Sequence, residues 1–111
     1  MNQLDLLDEG ARLRDAGMQQ ATDHADAVVP TWSEQAFGHF SNMALLHRFF
    51  TTEGARNRAE AAGFPAPPDA RAWGSIAARA RRAGIVALDS YVPAINPKAH
   101  KGPKALWKSM L

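Results

Sequence analysis

Two clusters of side chains suited to grip an anion stand out in the second half of the chain. Arg71, Ser75, Arg79, Arg81 and Arg82 lie close together, and Lys98, His100, Lys101 and Lys104 follow in a turn-rich stretch. A guanidinium presents a rigid fork of donors that matches phosphate oxygens or the O6/N7 edge of guanine, whereas an ammonium acts as a mobile point charge. At about 100° per residue, Arg71, Ser75, Ala78 and Arg82 share one side of a helix, flanked by Arg79 and Arg81, while Trp73, Ile76, Ala77 and Ala80 share the other. Such a helix can lie along a nucleic-acid groove with its apolar side on a core, and Arg71, Ser75, Arg79, Arg81, Arg82, Lys98, His100, Lys101 and Lys104 are the candidate nucleic-acid contacts. The competing reading is a solvated surface helix that is basic by composition.

Catalytic chemistry finds less support. His24, His39, His47 and His100 form no H-x-x-x-H pair, and the absence of cysteine leaves no thiolate nucleophile or zinc ligand. The glycines at 10, 17, 38, 54, 63, 74, 84 and 102 are too dispersed for a phosphate loop. Asp5, Asp8 and Glu9 suit the solvated first turns of a helix. A non-enzyme is expected, with no cofactor and no metal.

Net charge is +2 over 111 residues, but it is unevenly placed. Residues 1–60 carry nine acids against five arginines, and residues 61–111 carry Asp69 and Asp89 against eight Lys or Arg. A half of the chain at +6 attracts polyanions, and an acidic half can pair with a basic partner surface. No apolar run approaches the roughly 18 residues of a membrane span, and the first residues show no basic, then apolar leader. With no cysteines the expectation is a reducing cytoplasm, without membrane contact.

The elements that must position these groups follow from the pattern. Leu4, Leu7, Ala11, Met18, Ala21, Ala25 and Val28 form a three-four stripe, predicting a helical arm over residues 1–29, broken in places by Gly10 and Gly17 and interrupted at Arg14. That arm either pairs two protomers as a homodimer or packs on its own domain. Thr31-Trp32-Ser33-Glu34 has capping-box spacing, and the helix after it runs to about Arg48 with Ala36, Phe37, Phe40, Met43, Ala44 and His47 on one face. Thr51-Thr52-Glu53 opens a short helix to Ala62, stopped by Gly63, and Phe64–Pro68 is a stiff connector. The basic helix spans Asp69–Ala83 and ends at Gly84. Ile85–Leu88, extended by Tyr91-Val92, and Ala105–Lys108 then make a hairpin around a basic loop. Trp32, Trp73 and Trp107 are expected in the core. The fold expected is α+β and mostly α: a winged helix over residues 30–111, with a three-helix core and a C-terminal β-hairpin wing, plus the extra N-terminal helix.

The run Thr52-Glu53, Ala61-Ala62-Gly63, Pro67–Gly74, Ala83-Gly84-Ile85, Asn96-Pro97, His100 and Trp107-Lys108-Ser109 resembles a group of small proteins encoded by phages and prophages of Gram-negative bacteria. The resemblance covers roughly Thr31 to Ser109 and implies a winged-helix fold and a phage origin. Two functions follow as expectations. One is a phage DNA-binding protein, a replication or regulatory accessory, that docks the basic helix in the major groove of double-stranded DNA and sets the Lys-rich wing on the backbone. The alternative is a phage-encoded inhibitor that binds a host protein or nucleoprotein, such as a CRISPR or other defence complex.

Overall fold

The computed structural model describes residues 3–93 and 103–111, with side chains described from Arg12 onward. The elements are α1 (Gln3–Val28), α2 (Trp32–Leu46), β1 (Phe49–Thr51), α3 (Thr52–Ala61), α4 (Ala72–Arg82), β2 (Val86–Val92) and β3 (Lys104–Ser109). The protein is α+β and mostly helical, with a three-stranded antiparallel sheet in the order β1-β3-β2. Among the described residues, no helix is long and apolar enough to cross a membrane.

The turn into α2 departs from the capping box expected at Thr31. Thr31 adopts a left-handed conformation (φ 65°) and its side chain does not cap the helix. Asp26, still on α1, does so instead: its carboxylate accepts from the Ser33 amide and from the Ser33 hydroxyl, both at 2.7 Å. A carboxylate is a stronger acceptor than a hydroxyl and favours the positive end of the helix dipole, so it displaces the local cap. Glu34 is thereby released from its expected role of reaching back to Thr31.

Trp32, Ala36, Phe40, Met43 and Ala44 recur at helical spacing and are all buried. Trp32 is the centre of the core: it stacks on Phe64 (5.6 Å between centroids) and meets Trp73 edge-on (5.4 Å). Its indole Nε1 donates to the Pro65 carbonyl at 2.9 Å, which satisfies the one polar atom that burial would otherwise strand. α2 ends at Leu46. His47 is already extended and exposed, so it leaves the apolar face on which its spacing had placed it.

α3 follows the sequence closely. The Thr51 hydroxyl accepts from the Gly54 amide at 2.9 Å, and Gly63 (φ 96°) turns the chain out so that the Phe64 amide returns to the Ala59 carbonyl. Asp69, expected as the first residue of the basic helix, belongs instead to a turn: its carboxylate accepts from the Arg71 amide at 2.9 Å, and α4 begins at Ala72.

The sheet contains a strand the pattern did not reveal, β1, which pairs with β3 through Phe50↔Trp107. β2 joins the other side of β3, with an irregularity at Leu88/Ser90 that leaves Asp89 unpaired in the ladder. Trp107 is buried, and its Nε1 donates to the Thr52 hydroxyl at 2.9 Å, tying the sheet to the first turn of α3. Ser109 closes the sheet onto α2, its hydroxyl donating to the Ala44 carbonyl at 2.6 Å.

α1 packs across α4. Ala21 and Ala25 enter the core, and the buried Thr22 hydroxyl bonds the Met18 carbonyl at 3.0 Å and approaches the Ala72 carbonyl at 3.4 Å. The approach is close because Gly74 lacks a side chain; a Cβ there would stand 2.5 Å from Met18 Sδ.

Candidate nucleic-acid interface

α4 turns Ala72, Trp73, Ile76, Ala77 and Ala80 into the core, as the two-sided pattern required. Its other face borders α1 over part of its length. Ser75, Ala78 and Arg82 line a shallow groove of about 330 Å³ with Asp15, Ala16, Met18 and Gln19 of α1. The side of α4 expected to face a DNA groove therefore looks onto an acidic helix, and Ser75 is half-buried.

The arginines of this region divide by partner. Arg71 is exposed and binds Asp69 through Nε and Nη2, at 2.7 Å for the shortest contact. The side-chain and then the backbone hydrogen bond from Arg71 hold the Asp69 carboxyl below its ordinary range, and the guanidinium pKa is raised in turn, chiefly by the same side-chain bond. The Arg71 guanidinium also lies over Gly17, where a Cβ would come within 3.1 Å of Nη1. Arg79 points to α2. Its guanidinium sits 4.0 Å from the centroid of the Phe37 ring and binds Glu34 at 2.9 Å, a combination of stacking and ion pairing that occupies both its face and its edge. Arg81 and Arg82 are exposed and have no ion-pair partner among the described residues.

On the hairpin, Lys104 is half-buried at the start of β3 and Lys108 lies near its end; neither has an ion-pair partner among the described residues. Lys98, His100 and Lys101 lie outside the described residues. The candidate contacts are thus not brought onto one face: Arg79 serves α2, Ser75 adjoins α1, and Arg81 and Arg82 remain free at the C-terminal end of α4.

Two groupings emerge that the sequence did not bring together. Arg71 and Lys104, both candidate contacts, join Arg14 of α1 and Arg56 of α3 around a groove of about 440 Å³ that Met18, Trp73 and Gly74 also line. Arg14 had shown itself only as a break in the apolar stripe of α1, which is the expected signature of a cation on a packed face. At the far end of the molecule, Leu45, Leu46, Met110 and Leu111 are exposed around a hollow of about 490 Å³ that Arg48 and Lys108 also line. Among the described residues, no three His, Asp or Glu side chains gather as metal ligands. In comparisons with protein-family models, curated proteins and solved structures, nothing matches this chain.

Proposed function

We propose that this chain is a winged-helix protein that binds double-stranded DNA, with the hairpin as its wing and with Arg81 and Arg82 as the adjoining helix contacts. The fold reading is supported by the order α2-β1-α3-α4-β2-β3 and by β3 lying between β1 and β2. The observation that carries the function is the set of cations without ion-pair partners among the described residues: Arg81 and Arg82 at the C-terminal end of α4, Lys108 on β3 opposite Ala87, and Lys104 at the other end of β3, opposite Val92. Cations without acidic partners attract a line of backbone phosphates, whose neutralisation releases counterions. In this reading Arg79 and Ser75 do not touch DNA while α1 stays on α4. The phage setting that the sequence suggests is part of the same proposal.

The test is a mobility shift on duplex DNA across a salt series. Affinity is expected to fall steeply with salt, and Arg82→Ala and Lys101→Ala each to reduce the log–log slope by about 0.9. Arg79→Ala is expected to leave binding unchanged. A slope near zero, or no shift at any salt concentration, overturns the proposal.

One arrangement favours the alternative, a phage inhibitor that binds a host protein. The acidic α1 adjoins the outer face of α4 along Ser75 and Ala78, and the exposed Leu45, Leu46 and Leu111 offer an apolar surface. A host partner retained at stoichiometry after nuclease treatment, and released by Leu45→Asp, supports this reading; loss of every partner with nuclease removes it.

A further inference from the structure

We propose that the groove between α1, α3, α4 and β3 is a binding site for a nucleotide, with the phosphate on its basic rim and the nucleoside on its apolar floor. The rim carries Arg14 from α1, Arg56 from α3, Arg71 just before α4, and Lys104 from β3. Two of these are fixed by neighbours: Arg56 by Glu60 at 3.1 Å and Arg71 by Asp69 at 2.7 Å. The other two, Arg14 and Lys104, have no ion-pair partner among the described residues, although Lys104 is half-buried. Arg14 and Lys104 thus have donors that an anion in the groove can engage. Glu53 also lines the groove, and with Glu60 on Arg56 and Asp69 on Arg71 three carboxylates stand against the four cations, which leaves one positive charge in excess for an anion.

The floor selects what the anion carries. Met18, Ala70, Trp73 and Gly74 make it apolar. Trp73 is 2% exposed, and its Nε1 is buried with no hydrogen-bond partner, an unmade bond of the kind that folded proteins seldom leave. A bare phosphate would leave this floor wet. A nucleoside covers it and suits a space of about 440 Å³, within the range of small-molecule sites. The floor is shared by two helices, since Met18 and Arg14 come from α1 while Trp73 and Gly74 come from α4. A bound nucleotide would therefore also fasten α1 in place.

The site stands apart from the DNA reading, because none of its residues other than Lys104 belongs to that interface. The nucleotide can be free or can be the 5′-phosphorylated end of a strand, and three titrations of the full chain separate the sources. AMP, inorganic phosphate, and a 5′-phosphorylated duplex alongside its unphosphorylated twin would be followed by calorimetry and by tryptophan fluorescence. A free nucleotide is indicated by AMP binding at least tenfold tighter than phosphate with a change in indole emission. A strand end is indicated by a duplex preference for the 5′-phosphate. Arg14→Ala and Lys104→Gln are each expected to weaken the bound form about tenfold with the urea midpoint unchanged. The proposal is overturned if AMP and phosphate both fail to bind and the two duplexes bind alike, or if binding occurs but is indifferent to both substitutions.

Discussion

Whether α1 really seals the outer face of α4 can be decided at Gly74. In a helix interior, Gly→Ala ordinarily stabilises by about 1 kcal/mol, because alanine has less backbone freedom to lose. Here the added methyl would stand 2.5 Å from Met18 Sδ and 3.5 Å from Met18 Cγ. The sulfur must retreat by about 1 Å to reach ordinary contact, and overpacking of this kind costs about 1 to 3 kcal/mol. The two effects oppose each other, so Gly74→Ala is expected to be neutral to about 2 kcal/mol destabilising. In a Met18→Ala background the obstruction is gone, and the same substitution is expected to stabilise by about 1 kcal/mol. Urea denaturation of the four proteins gives a coupling energy of about 1 to 3 kcal/mol, read from midpoints at constant slope. If Gly74→Ala stabilises by about 1 kcal/mol in both backgrounds, Met18 is not on Gly74. Ser75 and Ala78 would then be open beside the already exposed Arg82, and Ser75 would return to the DNA-facing set.

Three further outcomes are expected. Asp26→Ala removes the remote cap of α2, two hydrogen bonds to a half-buried carboxylate, and should destabilise by about 2 kcal/mol in a urea melt, with Asp26→Asn intermediate. Thr31→Gly relieves a β-branched residue of its left-handed conformation and should raise stability by about 0.5 to 1 kcal/mol despite the loss of the Gln35 contact to its hydroxyl at 2.9 Å. The Asp69 carboxyl, held below its ordinary 3.8 by Arg71, favours the folded state above that value. The contribution is lost as pH falls from about 4 through the lower folded value; a carboxyl NMR titration of Asp69 with a midpoint at or above 4 contradicts the pairing.

How far the fold could be read from sequence depended on the range of the interactions. Local chemistry was sufficient for α3, where Thr51, Gly54 and Gly63 contain both ends of the helix within thirteen residues. It was also sufficient for the inward face of α4, because Trp73, Ile76 and Ala80 repeat at helical spacing. It failed at Thr31, where the right residue types for a capping box stand within reach of a better acceptor, Asp26, seven residues before the Ser33 amide that it caps. β1 is three residues long and exists only because β3 lies beside it, so no alternation could announce it. The candidate interface suffered most. A helical wheel assigns Arg79 to a free flank, but Glu34 and Phe37, more than forty residues earlier, take it up. The small residues that let α1 settle on α4 carry no mark of which surface they will meet. What separates the readable parts from the rest is sequence distance between partners.

The position of β3 bears on how the chain reaches this arrangement in time. The strand at the middle of the sheet is the last one synthesised, and Phe50 must wait for Trp107, fifty-seven residues on. Closing a loop of that length has an entropic penalty of about 3 to 4 kcal/mol, met before any ladder bond is formed. Helices α2, α3 and α4 can assemble around Trp32 beforehand, from contacts of shorter range. Arrival of the hairpin should then be the slow event, and until it occurs Phe50 and the carbonyls of Arg48 and Ala44 lack the partners that Trp107 and Ser109 supply. Proteolytic trimming within β3 would accordingly remove the middle of the sheet, leaving β1 and β2 without a neighbour on either side.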